Sequence, residues 1–101
     1  MTESVARNTN LYGRNAELMF TSISRYYLIN DRSKALAMVQ KGLAMNPESM
    51  DTRVYYISML IGLDRNEEAT AELEKLKNMD KLGIYRERIR NLEQALQHNK
   101  H

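Results

Sequence analysis

Cysteine is missing altogether, so neither a disulfide nor a thiolate metal site can hold this chain together. A single proline and four glycines leave too few turn formers for a sandwich or barrel. No run approaches eighteen apolar residues, so the sequence has no membrane-spanning helix. The first ten residues are polar and lack the apolar middle of a signal peptide. The cytoplasm is therefore the default compartment, with an excised domain of a longer or exported protein as the alternative. Histidine is sparse and terminal, at His98 and His101, which gives no metal-ligand spacing. Glycine-rich phosphate loops, nucleophile elbows and HExxH are all absent. Neither an enzyme nor a resident cofactor is expected, and no small-molecule substrate.

What the chain of 101 residues does have is helical periodicity and many tyrosines and methionines, six and seven respectively. Methionine suits irregular helix packing or an adaptable surface, and tyrosine is enriched where proteins touch. Too many of them occur for all to be buried in a chain this small. The net charge is only +2. Residues 64–80 carry six acidic and three basic side chains, and residues 81–101 carry two and five. This reads as solvated faces. It is too weak a footprint to favour nucleic acid, although the basic last helix keeps that alternative open.

Residues 1–14 show no period and are expected to be a flexible leader, with Leu11 and Tyr12 able to dock on the first helix. Helix one is expected from Asn15, a plausible N-cap, to Asn30. Its stripe is Ala16, Met19, Phe20, Ile23, Tyr26 and Tyr27 at i, i+3, i+4 spacing. Asp31 or Ser33 can cap helix two, Lys34 to Met45, which buries Ala35, Leu36, Val39 and Leu43. Its small Ala35 and Gly42 allow a close helix crossing. Asn46-Pro47 stops it, because the residue before proline avoids helical angles. Helix three runs from Glu48 to Leu63 on Val54, Ile57, Leu60 and Ile61. Helix four begins at Asn66 and buries Ala69, Leu73 and Leu76. Helix five is expected over 81–98, with Leu82, Tyr85, Ile89, Leu92 and Leu96 at intervals of 3, 4, 3 and 4. That narrow stripe fits either a helix closing the fold or a short coiled-coil seam.

Thirty-four residues separate Ala35 from Ala69, Val39 from Leu73 and Met45 from Met79. A two-helix unit of that period resembles the tetratricopeptide repeat (TPR). In the first unit, 16–49, Tyr26, Ala35 and Pro47 match the family's tyrosine, small residue and proline. Ser22 and Ile23 depart from its Leu-Gly pair. The second unit, 50–83, keeps Ala69 and Leu73 but has Arg53 at the large-aromatic place and Lys81 at the proline, so it is a degenerate copy. Residues 81–98 resemble the polar capping helix of such arrays. The resemblance implies an all-α fold over 15–98, a right-handed short α-solenoid of five antiparallel helices.

It also implies a protein-binding adaptor, chaperone or assembly factor whose groove takes a peptide or an amphipathic helix. Carried over by position, the groove is Glu17, Phe20, Ser24, Tyr27 and Leu28 with Asp51, Val54, Tyr55 and Ser58. Family members that grip an acidic C-terminus use lysine, asparagine and arginine at these places, which Glu17 and Asp51 oppose. A homodimer, formed through the last helix or by hairpin exchange, is the second reading.

Overall fold

The computed structural model describes residues 2–99, with side chains from Tyr12 to Asn99. Leu11, Lys100 and His101 lie outside the described side chains. The described residues form five helices: α1 Thr2–Tyr27, α2 Arg32–Met45, α3 Met50–Gly62, α4 Asn66–Met79 and α5 Arg86–Asn99. The described residues contain no strand. No described helix is long and apolar enough to cross a membrane. The chain divides into two compact units, Met1–Ser49 and Met50–His101. The division falls where the 34-residue period changes unit.

The first unit is the α1–α2 hairpin. After Tyr27 the chain turns, and the Asp31 amide donates back to the Tyr27 carbonyl at 2.8 Å. Asp31 Oδ1 then accepts from the Lys34 amide at 3.1 Å, which caps α2. Of the two expected caps, Asp31 is the one used. The helices run antiparallel and very close. A Cβ on Gly13 would sit 2.5 Å from the Met45 carbonyl oxygen, and one on Gly42 would sit 3.4 Å from the Glu17 carbonyl oxygen. Ser24 closes the other end, donating its hydroxyl to the Ala35 carbonyl at 2.7 Å. α2 presents Ala35, Leu36, Val39, Gly42 and Leu43 as expected.

The other side of this contact differs from the expectation. Among the described side chains of α1, Gly13, Glu17, Thr21 and Ser24 are buried, while Ala16, Phe20, Ile23 and Tyr27 are half-buried. Met19 and Tyr26 are 52% and 76% exposed, so neither belongs to the core. Tyr26, given a structural place by the repeat register, is on the surface. The physical reason is distance: backbones this close admit glycine and short polar side chains, and bulky ones turn away. α1 also begins at Thr2, not Asn15, and residues 2–14 are helical. Asn15 is therefore interior to the helix and caps nothing. Gly13, inside the segment expected to be a flexible leader, is a contact point within a helix.

In the second unit α3 packs on α4 and α5, and α4 on α5. Tyr56, Ile57, Met59, Leu60, Ile61, Ala69, Leu73, Leu76, Ile89, Leu92 and Leu96 are buried. The α3–α4 turn holds Asp64 at φ 60°, a left-handed angle that a short polar side chain tolerates. Asn99 pins this turn, donating to the Ile61 carbonyl at 2.8 Å and to Asn66 Oδ1 at 3.1 Å. Glu68 and Glu72, four residues apart on α4, are each neutralised by cations. Arg65 pairs with Glu68, and Arg53 and Lys75 pair with Glu72. Lys77 bonds Glu93 across α4 and α5.

Helix five starts later than expected, at Arg86. Both carboxylate oxygens of Asp80 accept backbone amides, from Ile84 and Tyr85, each at 2.9 Å. Gly83 makes the bend at φ 72°, with the Arg86 guanidinium lying where a side chain would go. Leu82 is left 83% exposed, and the buried edge of α5 is Ile89, Leu92 and Leu96. Packed on α3 and α4, this edge closes the second unit.

Gly13→Ala tests the close crossing. The clash should cost about 1–3 kcal/mol, outweighing the gain of about 1 kcal/mol that alanine brings to a helix interior. Gly62→Ala, where nothing lies within 4 Å of the added carbon, should be neutral or slightly stabilising. Thermal unfolding followed by circular dichroism reads both. An unchanged midpoint for Gly13→Ala contradicts the close crossing.

Candidate interaction surface

The groove residues expected on sequence grounds fall into two sets, one in each unit. In the first unit, Glu17 is only 5% exposed and Ser24 is fully buried. Both face α2. Glu17 Oε1 accepts from Asn46 Nδ2 at 3.0 Å, and its other carboxylate oxygen has no partner. Ser24 is spent on the Ala35 carbonyl. These two residues hold the hairpin and line no outward surface, which corrects their assignment. Phe20 is half-buried, its Cβ 3.5 Å from where a Gly42 side chain would begin. Tyr27 is half-buried as well, edge-on to the Tyr26 ring at 5.2 Å, with Lys34 Nζ 4.5 Å from its ring centre. Leu28 is exposed.

In the second unit Asp51 and Ser58 are exposed and Val54 and Tyr55 half-buried. Their spacing puts all four on one side of α3. Asp51 is engaged, accepting from the Tyr85 hydroxyl at 2.9 Å and from Arg88 Nη1 at 2.6 Å. The Arg88 guanidinium also lies 5.1 Å from the Tyr85 ring centre. Ser58 donates to the Val54 carbonyl within its own helix at 3.0 Å.

The surface that sequence reasoning missed is the outer side of α1. Tyr12, Ala16, Met19, Ile23 and Tyr26 follow one another at intervals of 4, 3, 4 and 3, so they form one stripe. Tyr12 is 69% exposed and Tyr26 76%, with Met19 between them. Two exposed aromatics and a methionine in line make a contiguous apolar face. The usable signal was a second period running beside the first: Gly13, Glu17, Thr21 and Ser24 repeat at helical spacing too, and they are the residues small or polar enough for a close approach.

Among the described residues, no group of three or more His, Asp or Glu side chains could hold a metal ion. A cavity of about 340 Å³ is lined by Lys77, Asp80, Gly83, Arg86, Ile89, Arg90 and Glu93. Its two acids are already occupied, Asp80 by backbone amides and Glu93 by Lys77. Compared with protein-family models, with curated proteins and with solved structures, the chain gives no match in any of the three.

Two groups in the second unit have raised pKa values. Lys77 is raised chiefly by its bond to Glu93. Tyr85 is raised by burial and then by its bond to Asp51, since a phenolate beside that carboxylate is disfavoured. Both shifts stabilise the fold below the groups' ordinary pKa values, near pH 10. That stability is lost as pH rises through the folded-state values. Tyrosinate absorbance, taken as the difference between wild type and Tyr85→Phe, should show Tyr85 ionising above the ordinary tyrosine pKa. Asp51→Asn should bring it part of the way back. A Tyr85 titration indifferent to Asp51→Asn would refute the pairing.

Proposed function

We propose that this chain is a protein-interaction module built of tetratricopeptide-like helical hairpins, and that α1 carries its contact face. One observation carries the reading: α1 buries Glu17, Thr21 and Ser24 while leaving Tyr12, Met19 and Tyr26 in solvent. A helix that served only to close a hairpin would have its apolar side inward. Aromatic and methionine side chains on a rigid helix are what a partner helix packs against, at anchor positions i, i+3, i+4 and i+7. The 34-residue period and the two-helix construction of the first unit support kinship with tetratricopeptide modules. Phe20 and Tyr27 border the face, and Val54, Tyr55 and Ser58 offer a secondary surface on α3. An adaptor, a chaperone and an assembly factor would all use such a face.

Affinity capture from the native host tests the reading. Met19→Glu combined with Tyr26→Glu should lose the captured proteins while helical content stays at the wild-type level. An undiminished set on the double variant would remove α1 as the contact face.

A further inference from the structure

We infer that the occupant of the α1 stripe is a second copy of this chain, paired α1 to α1. This rests on the reading of α1 as the contact face and specifies its partner.

Three observations favour the second copy. The first is spacing. Tyr12, Ala16, Met19, Ile23 and Tyr26 alternate by four and three residues, the pattern of a coiled-coil seam over two heptads. A seam is filled by another helix of the same spacing. Among the described helices α1 alone exposes such a stripe, because the seam-like residues of α5 (Ile89, Leu92 and Leu96) are buried. The self-association face foreseen on the last helix is thus used up inside the second unit.

The second observation is charge. The stripe contains no Asp, Glu, Lys, Arg or His, and its flank carries the uncharged Asn15 and Ser22. Arg14 and Arg25 fall roughly 120–140° around the helix from Met19. Two identical faces can therefore meet without like charges opposed, as a twofold interface requires. Nothing on the face selects a partner of opposite charge.

The third is area. A buried aromatic side chain removes roughly 150–250 Å² from water. Four tyrosines, two from each copy, together with both Met19 and both Ile23 side chains, bring the total to the order of 1,000 Å². That is the lower bound for a specific interface. A face of this size supports a reversible dimer. Met19 lies midway between Tyr12 and Tyr26, so a twofold axis beside it superposes the two stripes along their length.

Sedimentation velocity of the purified chain from about 1 to 500 µM is the test, and it needs no other protein. The wild-type mass should climb from 11.8 kDa towards twice that value as concentration rises. Met19→Glu with Tyr26→Glu should remain monomeric, and Leu18→Glu, exposed but off the stripe, should dimerise like wild type. Because the chain has no cysteine, Met19→Cys adds a second reading: mild oxidation should cross-link it into a covalent dimer, and Leu18→Cys should link poorly. A wild type that stays monomeric throughout overturns the inference, as does a stripe double variant that dimerises normally. A monomeric wild type whose double variant still loses captured proteins would sink self-pairing and leave the interaction-module reading standing.

Discussion

The separation of α1 from α2 governs the first unit. At Gly13 the Met45 carbonyl leaves no room for even a methyl group, and at Gly42 the Glu17 backbone is in near contact. Against α2 at this distance, α1 turns inward only glycine and short or folded-in polar side chains. Thr21 bonds the Glu17 carbonyl at 2.7 Å, and Ser24 bonds across to Ala35, so these hydroxyls are satisfied without water. Glu17 is the exception, with one oxygen bonded and one not. The bulky residues of α1 then have only the outer side left. The exposed stripe follows from the close crossing: the same geometry that seals the hairpin displays Tyr12, Met19 and Tyr26.

The second unit is built on the opposite principle. Its helices meet through ordinary branched and aromatic side chains, and Ile57, Leu60 and Leu76 are fully buried. Polar groups act at its edges as fasteners. Asp80 takes two amides at the turn into α5, Asn99 ties the end of α5 to the α3–α4 turn, and Asp51 joins α3 to Tyr85 and Arg88. Exposed ion pairs contribute little each. The Arg53–Glu72 pair is mostly shielded from solvent and matters more, because removing one partner would strand the other. Asp51, expected in a groove, is thereby part of the unit's own fastening.

The chain's all-helical character and the spans of α2, α3 and α4 were legible to within a few residues, because Asp31, Pro47, Gly62 and Asn66 punctuate them. The phase of α1 was not. Ala16, Phe20, Ile23 and Tyr27 are half-buried, so they fit a stripe drawn through the core and one drawn beside it. Hydrophobic periodicity chose the more apolar of two adjacent faces, while the backbone distance set by Gly13 and Gly42 chose the other. That distance is a tertiary quantity, marked in the sequence only by the helical spacing of Gly13, Glu17, Thr21 and Ser24. Periodicity thus put Tyr26 into the core, while the positions carried over from the repeat resemblance put the buried Glu17 and Ser24 into a groove. At α5, Leu82 and Tyr85 continued the period, yet a positive-φ glycine and the Asp80 carboxylate set the start at Arg86. Periodicity sees neither.

Thiol labelling reads the orientation of α1 most directly, since the chain supplies a cysteine-free background. Ser24→Cys and Leu18→Cys each place one thiol on this helix, the first facing α2 and the second facing water away from the stripe. Leu18→Cys should react at nearly the rate of an unfolded control, and Ser24→Cys at least about tenfold more slowly until denaturant opens the hairpin. Equal rates at the two positions in the native protein would contradict the buried polar face on which the account depends.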